Sequence, residues 1–394
     1  MTDTTPVILA GARTPFGKFR GGLSPLSATE LGSHAIRHAL ERAGVPPERI
    51  GHVIVGQVVL AGSGQGPARQ AALGAGIGWD VPTVTINKLC LSGLTAVIDA
   101  ARMIRAGEAD FIVAAGQESM TNAPHLVKGV RAGLALGDSA LVDSLNHDGL
   151  QDPVSGELMG GATDRGNIDR GIGRAEQDEV AARSHQRAAA ARDLLAQEIA
   201  PIEVPQRRGA PVLLGSDEGI REGTTPEGLA ALRPAFSRDP NATITAGSSS
   251  PLSDGAAAVV VASKAAAIEA CLDWLCEIGA HGQTAGPDGQ LHSQPSDAIL
   301  AALAKEGLAP GDVDLLEINE AFASVVLQSA KDLGLNPVVF NREGGAIALG
   351  HPVGASGARL ALHQALALKR LGSGVGVVAL CGGGGQGDAL VLRA

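Results

Sequence analysis

Short, uninterrupted apolar runs alternate with longer amphipathic stretches along this chain. Runs near 6–11, 52–59, 83–86, 111–115 and 256–262, and again near 274–281, 313–318, 338–341, 375–380 and 388–392, predict strands. They lack the polar–apolar alternation of a half-solvated strand, so they suit sheets covered on both faces. Helix-length segments fill the gaps. Residues 27–43 open at Ser27 with Glu30 three positions on, a capping-box pattern. RAEQDEVAARSHQRAAAARDLLAQ (174–197) predicts one long helix. Alternation of this kind implies an α/β fold built in layers.

The pattern also repeats. AGVPPERIGHVIVG (43–56) echoes EGLAPGDVDLLEIN (306–319), with Gly44 matching Gly307, 263 residues on. CLSGLTAVIDAARMIRAGEADFIVAAG echoes VGASGARLALHQALALKRLGSGVGVVALCG, with Ser92 matching Ser356 at a spacing of 264. A near-constant spacing over two separated blocks argues for two homologous halves. The fifth strands begin alike, DGAAAVVVA (254–262) and GDALVLR (387–393). A short Gly-rich turn precedes the second; about 140 residues precede the first. We therefore expect an N-terminal half from 1–119 with 251–272, an inserted loop domain at 120–250 that covers an active site, and a C-terminal half at 273–394.

Composition narrows the function. Hydrophobic residues make up 45% of the 394, but aromatics only 2%, with no Tyr and 54 Gly, so the cores must be close-packed Ala, Val, Leu and Ile. The formal charge is −10 without a long basic run, and bases would find few aromatic platforms, so nucleic acid is not an expected partner. No apolar stretch has the ~18–20 residues of a membrane span, and the N-terminus lacks the basic segment of a secretory signal. Four Cys, none in a CxxC pair, make neither a disulfide nor a zinc framework. Cys271 and Cys276 read as buried thiols, and the expected location is a reducing cytoplasm. His34 and His38, four apart on a helix, lack a third metal ligand and read as an exposed face; no metal is expected.

Three reactive side chains resist a packing explanation. Cys90 (NKLCLSGL) lies just before Ser92–Gly93, which open a helix, so the helix dipole is expected to favour its thiolate. His351 (GGAIALGHPVGASGAR) occupies the matching place before Ser356–Gly357 in the other half. Two pseudo-equivalent helix N-termini would face one another across a pseudo-twofold axis, letting the imidazole take the Cys90 proton. Cys381 ends an apolar strand and enters GGGGQG, whose backbone can approach a ligand closely and point N–H groups at an oxyanion. Gly382, Gly384 and Gly387 match G-x-G-x-x-G, but no helix follows, which excludes a dinucleotide fingerprint. Asn319 ends a strand and can donate to an oxyanion, although turn-forming or helix-capping is an equal use of such a residue. Two thiols and an imidazole suffice for acyl transfer through a thioester joined to proton removal from carbon.

With these segments stand RTPFGKFRGGLS, GQVVLAGSGQGPARQ, GQESMTNAPHL, TTPEGLAALRPAF, TAGSSSPLSDGAAAVVV, NEAFA and CGGGGQGDA. From residue 13 to 389 the chain resembles the thiolase family, specifically its bacterial acetyl-CoA acetyltransferases. The resemblance implies a thiolase fold: two duplicated βαβαβαββ-type halves in a five-layer αβαβα sandwich with an inserted loop domain. It implies reversible condensation of two acetyl-CoA to acetoacetyl-CoA plus CoA, with Cys90 as acylated nucleophile, His351 as its base and Cys381 as acid/base at the α-carbon. It places Asn319 and His351 at one oxyanion hole and the N–H groups of Cys90 and Gly383 at the other. It assigns Arg221, Ser250, Ala246, Phe236, Leu150, Met159, Ala321, Phe322 and Leu291 to the coenzyme A site, with CoA a substrate and product rather than a cofactor. It also implies a homodimer or homotetramer. The chain departs from the common pattern at Leu158, where His is usual, at TAGSSS for TAGNAS, and at Ser253 for Asn. The first removes a polar group near the acyl pocket, which leaves open a degradative thiolase acting on longer 3-oxoacyl-CoA. A decarboxylating condensing enzyme fits less well, because Cys381 is a second reactive Cys, and a non-catalytic acyl-CoA binder would not need all three side chains.

Overall fold

The computed structural model describes residues 3–394. Nine strands carry the architecture: β1 (Pro6–Arg13), β2 (His52–Gly56), β3 (Thr83–Ile86), β4 (Phe111–Ser119), β5 (Ser253–Ser263), β6 (Cys276–Ala285), β7 (Leu315–Ile318), β8 (Val375–Gly382) and β9 (Gln386–Arg393). Their order is β7-β8-β9-β6-β1-β5-β4-β2-β3, with the two-residue strand Gly17–Lys18 added to β5. The nine principal helices are α1 (Ala28–Ala43), α2 (Pro67–Gly74), α3 (Ser92–Ala106), α4 (Met159–Arg170), α5 (Arg174–Ala190), α6 (Arg192–Glu198), α7 (Gln294–Ala304), α8 (Ala323–Asp332) and α9 (Ser356–Leu371).

The order reads as two half-sheets with the same internal plan. In the first, β1–β5 and β5–β4 are antiparallel while β4–β2 and β2–β3 are parallel. In the second, β6–β9 and β9–β8 are antiparallel and β8–β7 is parallel. The two half-sheets pair where Val7 and Ile8 of β1 meet Glu277 and Cys276 of β6.

Alternate strand residues then separate the cores, because successive side chains point to opposite faces. Val7, Val53, Val55, Val113 and Val260 pack outward with α1 and α2. Ile8, Ile54, Ile112, Val259 and Val261 pack inward with Leu94, Val97 and Ile98 of α3. Leu360, Leu362 and Leu368 of α9 share that inner layer with Val378, Leu380, Leu390 and Leu392 of the second half. Ala298, Ile299, Val325 and Val326 of α7 and α8 cover the outer face of the second half. Five layers result, with α3 and α9 alone in the middle one.

Contact in that middle layer is backbone to backbone. A Cβ on Gly357 would lie 2.1 Å from Leu94 N, and one on Gly93 2.8 Å from Ala358 N. The first turns of α3 and α9 thus touch through the glycines that follow Ser92 and Ser356.

Local expectations fare unevenly. The capping box forms: Ser27 accepts from Glu30 N and Glu30 accepts from Ser27 N. The helix expected at 174–197 instead bends at Ala191, separating α5 from α6. The bend lets Leu195 close with Ala188 over Ala348 and Leu349, and it delivers Glu198 to buried Arg13 at 2.9 Å. The strand expected at 338–341 does not form. Pro337 opens a single 3-10 turn, Asn336 accepts from Val338 N, and only Phe340 bridges, parallel to Leu316 of β7. That bridge stands where β3 stands beside β2. Cys271 is exposed rather than buried, with φ +53 in the turn before β6, whereas Cys276 is buried. His34 and His38 are half-buried with ring centroids 4.4 Å apart. Among the described residues no cluster of His, Cys, Asp and Glu fits a metal ion, and no helix is long and apolar enough to cross a membrane.

Gly357→Ala should therefore force the first turns of α3 and α9 apart. Overpacking of this kind costs typically about 1–3 kcal/mol. A denaturant midpoint equal to wild type would show that the contact is looser than the geometry states.

Candidate active site

The first turns of α3 and α9 point one reactive group each toward a cavity of about 460 Å³. Cys90 lies two residues before α3, in a loop tightened by Leu89, which takes the left-handed conformation at φ +53. Such backbone costs a non-glycine residue roughly 1–2 kcal/mol and needs support. Ser92 supplies it: its hydroxyl accepts from Lys88 N at 2.8 Å and donates to Leu89 O at 2.6 Å. Asn87 adds two contacts, accepting from Leu89 N and donating to Val58 O. Leu89 and Leu91 lie against Gly383 and Gly382, where a Cβ would come within 2.7 Å of either side chain. The Gly run after Cys381 is thus a close-approach surface for the Cys90 loop.

His351 follows Gly350, whose φ of +112 turns the chain after a short helix, Ala346–Leu349. Its backbone N–H donates to Ser253 Oγ at 3.2 Å. Ser253, one of the departures from the usual pattern, therefore anchors the histidine, and a Cβ on Gly350 would strike its hydroxyl at 2.5 Å. The ring has two neighbours. Nδ1 is 2.6 Å from Ser356 Oγ, and that hydroxyl donates to Pro352 O at 3.0 Å. With that proton on Pro352 O, Ser356 accepts from Nδ1–H. The remaining nitrogen, Nε2, then carries the lone pair, and Asn319 Nδ2 donates to it at 3.3 Å. Asn319 stands at the end of β7, its own N–H donating to Ala379 O of β8.

Burial sets the proton affinities. Desolvation pushes the Cys90 thiol up to about 12, outweighing the lowering effect of the backbone N–H groups of Cys90 and Gly383. The expected dipole-stabilised thiolate is therefore not the resting state; loss of water dominates at a residue only 5% exposed. Burial likewise raises the Cys381 thiol, with the neighbouring Cys90 adding to the effect. Burial holds His351 down at about 4, as a neutral imidazole. The resting site is uncharged: two thiols and one base.

Glu118 supports this floor from below. Its carboxylate accepts from Val58 N, Val59 N and Gly354 N, tying the loop after His351 to the one after β2, and burial raises it to about 7.

The sequence-derived residues converge. Cys90, His351, Cys381 and Gly383 line the cavity together with Arg221, Ser250, Ala246, Phe236, Leu150, Met159, Ala321, Phe322 and Leu291. Asn319 lies behind His351 rather than on the wall. Ser250 is fixed by its N–H and hydroxyl, both donating to Ala321 O, and Phe236 meets Phe322 edge-on at 5.9 Å. Gly160 must be small because a Cβ would enter the Phe236 ring at 2.4 Å. Leu158 also lines the cavity, forming an apolar wall with Leu150, Met159 and Met120. Arg221 lies at the boundary with a second hollow lined by Lys18, Phe19 and His185, and its N–H donates to His185 Nδ1. Sequence reasoning passed over Asn146, Val353, Ser249 and Leu252 on the wall, and the supporting roles of Ser253, Ser356 and Glu118. Only Ser356, as the repeat partner of Ser92, carried a signal.

Comparison with known proteins identifies the family. The family model for the N-terminal domain of thiolase matches residues 6–265, and that for the C-terminal domain matches 272–394. The chain is 57% identical over 389 residues to a probable acetyl-CoA acetyltransferase of Mycolicibacterium smegmatis, covering 98% of this chain and 100% of that protein. A probable acetyl-CoA acetyltransferase of Mycobacterium tuberculosis is 57% identical over 393 residues, covering 99% and 100%. The acetyl-CoA acetyltransferase of Cupriavidus necator is 46% identical over 396 residues, covering 100% of both.

The pH dependence of Cys90 acylation follows from the depressed histidine. A neutral imidazole accepts a proton at every pH above its own value, and this capacity is lost as pH falls through about 4. The acylation rate should therefore stay flat from about pH 8 to about pH 5 and fall only below that range. Ser356→Ala frees the tautomer and should slow acylation by about tenfold or more, since a well-placed base contributes about 10²–10⁴-fold. An acid limb centred near pH 6.5, the ordinary histidine value of about 6.5, would contradict the burial argument.

Proposed function

We infer the reaction from one premise: the chain belongs to the thiolase family. It is an enzyme of acyl transfer, and the reading its site supports best is reversible condensation of two acetyl-CoA to acetoacetyl-CoA and CoA. The observation that carries this reading is the convergence of Cys90, His351 and Cys381 on one cavity, each buried and each neutral at rest.

Neutrality orders the proton transfers. His351 Nε2 takes the Cys90 proton as the sulfur attacks the thioester carbonyl, because a thiol held near 12 ionises only with a base at hand. The tetrahedral oxyanion collapses, the bond to the coenzyme sulfur breaks, and Cys381, an unionised thiol, gives its proton to the departing thiolate. Acetyl-Cys90, free CoA, a Cys381 thiolate and a His351 imidazolium result. CoA leaves and a second acetyl-CoA enters. The Cys381 thiolate removes a proton from its methyl carbon; the carbanion attacks the acetyl-Cys90 carbonyl and forms the carbon–carbon bond. Cys90 departs as thiolate and recovers its proton from His351. All protons are returned, and one CoA and one acetoacetyl-CoA have been made.

Two sets of donors serve the developing negative charges. The N–H groups of Cys90 and Gly383 serve the oxyanion on the acyl group that Cys90 carries. Asn319 and His351 serve the thioester oxygen of the second substrate. Arg221, Ser250, Ala246, Phe236, Leu150, Met159, Ala321, Phe322 and Leu291 bind the pantetheine and nucleotide of coenzyme A. Residues 1–119 with 251–272 and 273–394 form the two halves, and 120–250 the cover that carries much of this binding surface. The protein acts in a reducing cytoplasm as a homodimer or homotetramer, which suits its four unpaired thiols.

Incubation with acetyl-CoA and mass spectrometry should place one acetyl group on the peptide containing Cys90. Cys381→Ala should still acquire that group yet lose condensation and exchange of the acetyl-CoA methyl protons, by about 10²-fold or more. Acetyl label only on another peptide, or wild-type proton exchange in the variant, would refute these roles.

A further inference from the structure

An ion pair outside the reaction sequence ties together the two segments that carry the thiols. Lys88 Nζ donates to Asp388 Oδ1 at 2.6 Å. Asp388 is fully buried, and its other oxygen accepts from Thr95 Oγ1 at 2.9 Å; Gln283 Nε2 also donates to Oδ1 at 3.2 Å. Lys88 lies two residues before Cys90. In the β8–β9 hairpin, Asp388 stands directly opposite Leu380, and its neighbour Gly387 opposite Cys381. The pair therefore connects the loop bearing one thiol to the strand beside the other.

The duplication supplies an internal control. Ala379 pairs with Ile318 and Ala389 as Ala115 pairs with Val55 and Ala258, so Asp388, opposite Leu380, answers to Ala257, opposite Gly116. The first half therefore carries no carboxylate at this place, and the buried Asp with its cation belongs to the strand beside Cys381 alone. Buried ion pairs are poor sources of net stability but good fixers of geometry, and the loop so held contains the left-handed Leu89.

We propose that the Lys88–Asp388 pair is a positioning device that sets the spacing between Cys90 and Cys381 for carbon–carbon bond formation. The proposal rests on the roles given to the two thiols above. Acylation needs Cys90 and His351, which the α3–α9 contact brings together. Condensation also needs Cys381 within reach of a carbon held beside acetyl-Cys90, so a loosened Cys90 loop should harm the second step more than the first.

The test separates the two steps in Lys88→Met, Lys88→Arg and Asp388→Asn. Acetyl transfer to Cys90 is followed by mass spectrometry in a single turnover, condensation by kcat, and folding by thermal midpoint. Lys88→Met and Asp388→Asn should acylate within about threefold of wild type and condense about 10–100-fold more slowly, in line with the cost of an ångström-scale misplacement. Lys88→Arg should recover most of the loss. Asp388→Asn is nearly isosteric and keeps the Thr95 contact, so it serves if Lys88→Met does not fold. Wild-type condensation in both charge-removing variants would overturn the proposal. So would a parallel fall of acylation, condensation and thermal midpoint, which would make the pair merely structural. Absence of acetyl-Cys90 in the wild-type protein would instead overturn the functional reading beneath it.

Discussion

The structure depends on the contact between the first turns of α3 and α9. Neither Gly93 nor Gly357 has room for a methyl group, so the two helices meet at backbone distance. Every other layer is arranged around that contact. The half-sheets present Ile8, Ile54, Ile112, Val378 and Leu380 inward to the helix pair, and the outer helices close the opposite faces. Close packing of backbone explains the composition: 54 Gly and almost no aromatic residue leave slim side chains in the middle layer. It also explains the site. Two helices starting at one point must deliver whatever precedes their first residues to one place.

That place is dry, and dryness fixes the chemistry more than the helix dipoles do. A partial positive charge at a helix N-terminus contributes up to about 2 kcal/mol in partly buried geometry. Removal of water from a thiolate opposes it, and for Cys90 removal wins, leaving the thiol near 12. The same desolvation makes His351 a weak base in isolation, near 4. Separately the two look badly matched. Together they keep charge out of the site until a thioester supplies an electrophile, and the oriented N–H groups then stabilise charge where it develops. The tautomer of His351 is tied to a bond outside the reaction: with the Ser356 proton on Pro352 O, Nδ1 donates and Nε2 keeps its lone pair, facing Asn319 Nδ2.

Much of this was legible in the chain because the duplication made it so. The spacing of 264 between Ser92 and Ser356 put a thiol and an imidazole at equivalent helix starts, and nine of the ten apolar runs became strands. The exception, 338–341, shows the limit of local pattern. An apolar run is compatible with a strand, but Pro337 cannot donate to a ladder and begins a turn instead. The break at Ala191 was hidden for the opposite reason. Helical propensity is continuous there, and tertiary contacts of Leu195 and Glu198 decide the bend. The ionisation of Cys90 was misjudged because a sequence displays the helix that follows a cysteine but not the surface that covers it. Glu118 and Asp388 bind partners 236 and 300 residues distant, and no local signal marks such pairs.

Duplication followed by divergence also accounts for the asymmetry of the site. The scaffold repeats a helix start and the Ser-Gly that opens it. On that common frame one copy places Cys90 and the other His351. Ser92 spends its hydroxyl on the strained Leu89 loop, whereas Ser356 spends the equivalent group on the imidazole. Asp388 takes a lysine from the opposite half, where the equivalent residue of the first half is Ala257. A symmetric pair of sites would offer two thiols or two bases facing each other, not a nucleophile beside its base. The chemistry needs unlike groups at like positions. A doubled fold supplies the like positions at once, so that function requires only a few side-chain differences around a contact already made.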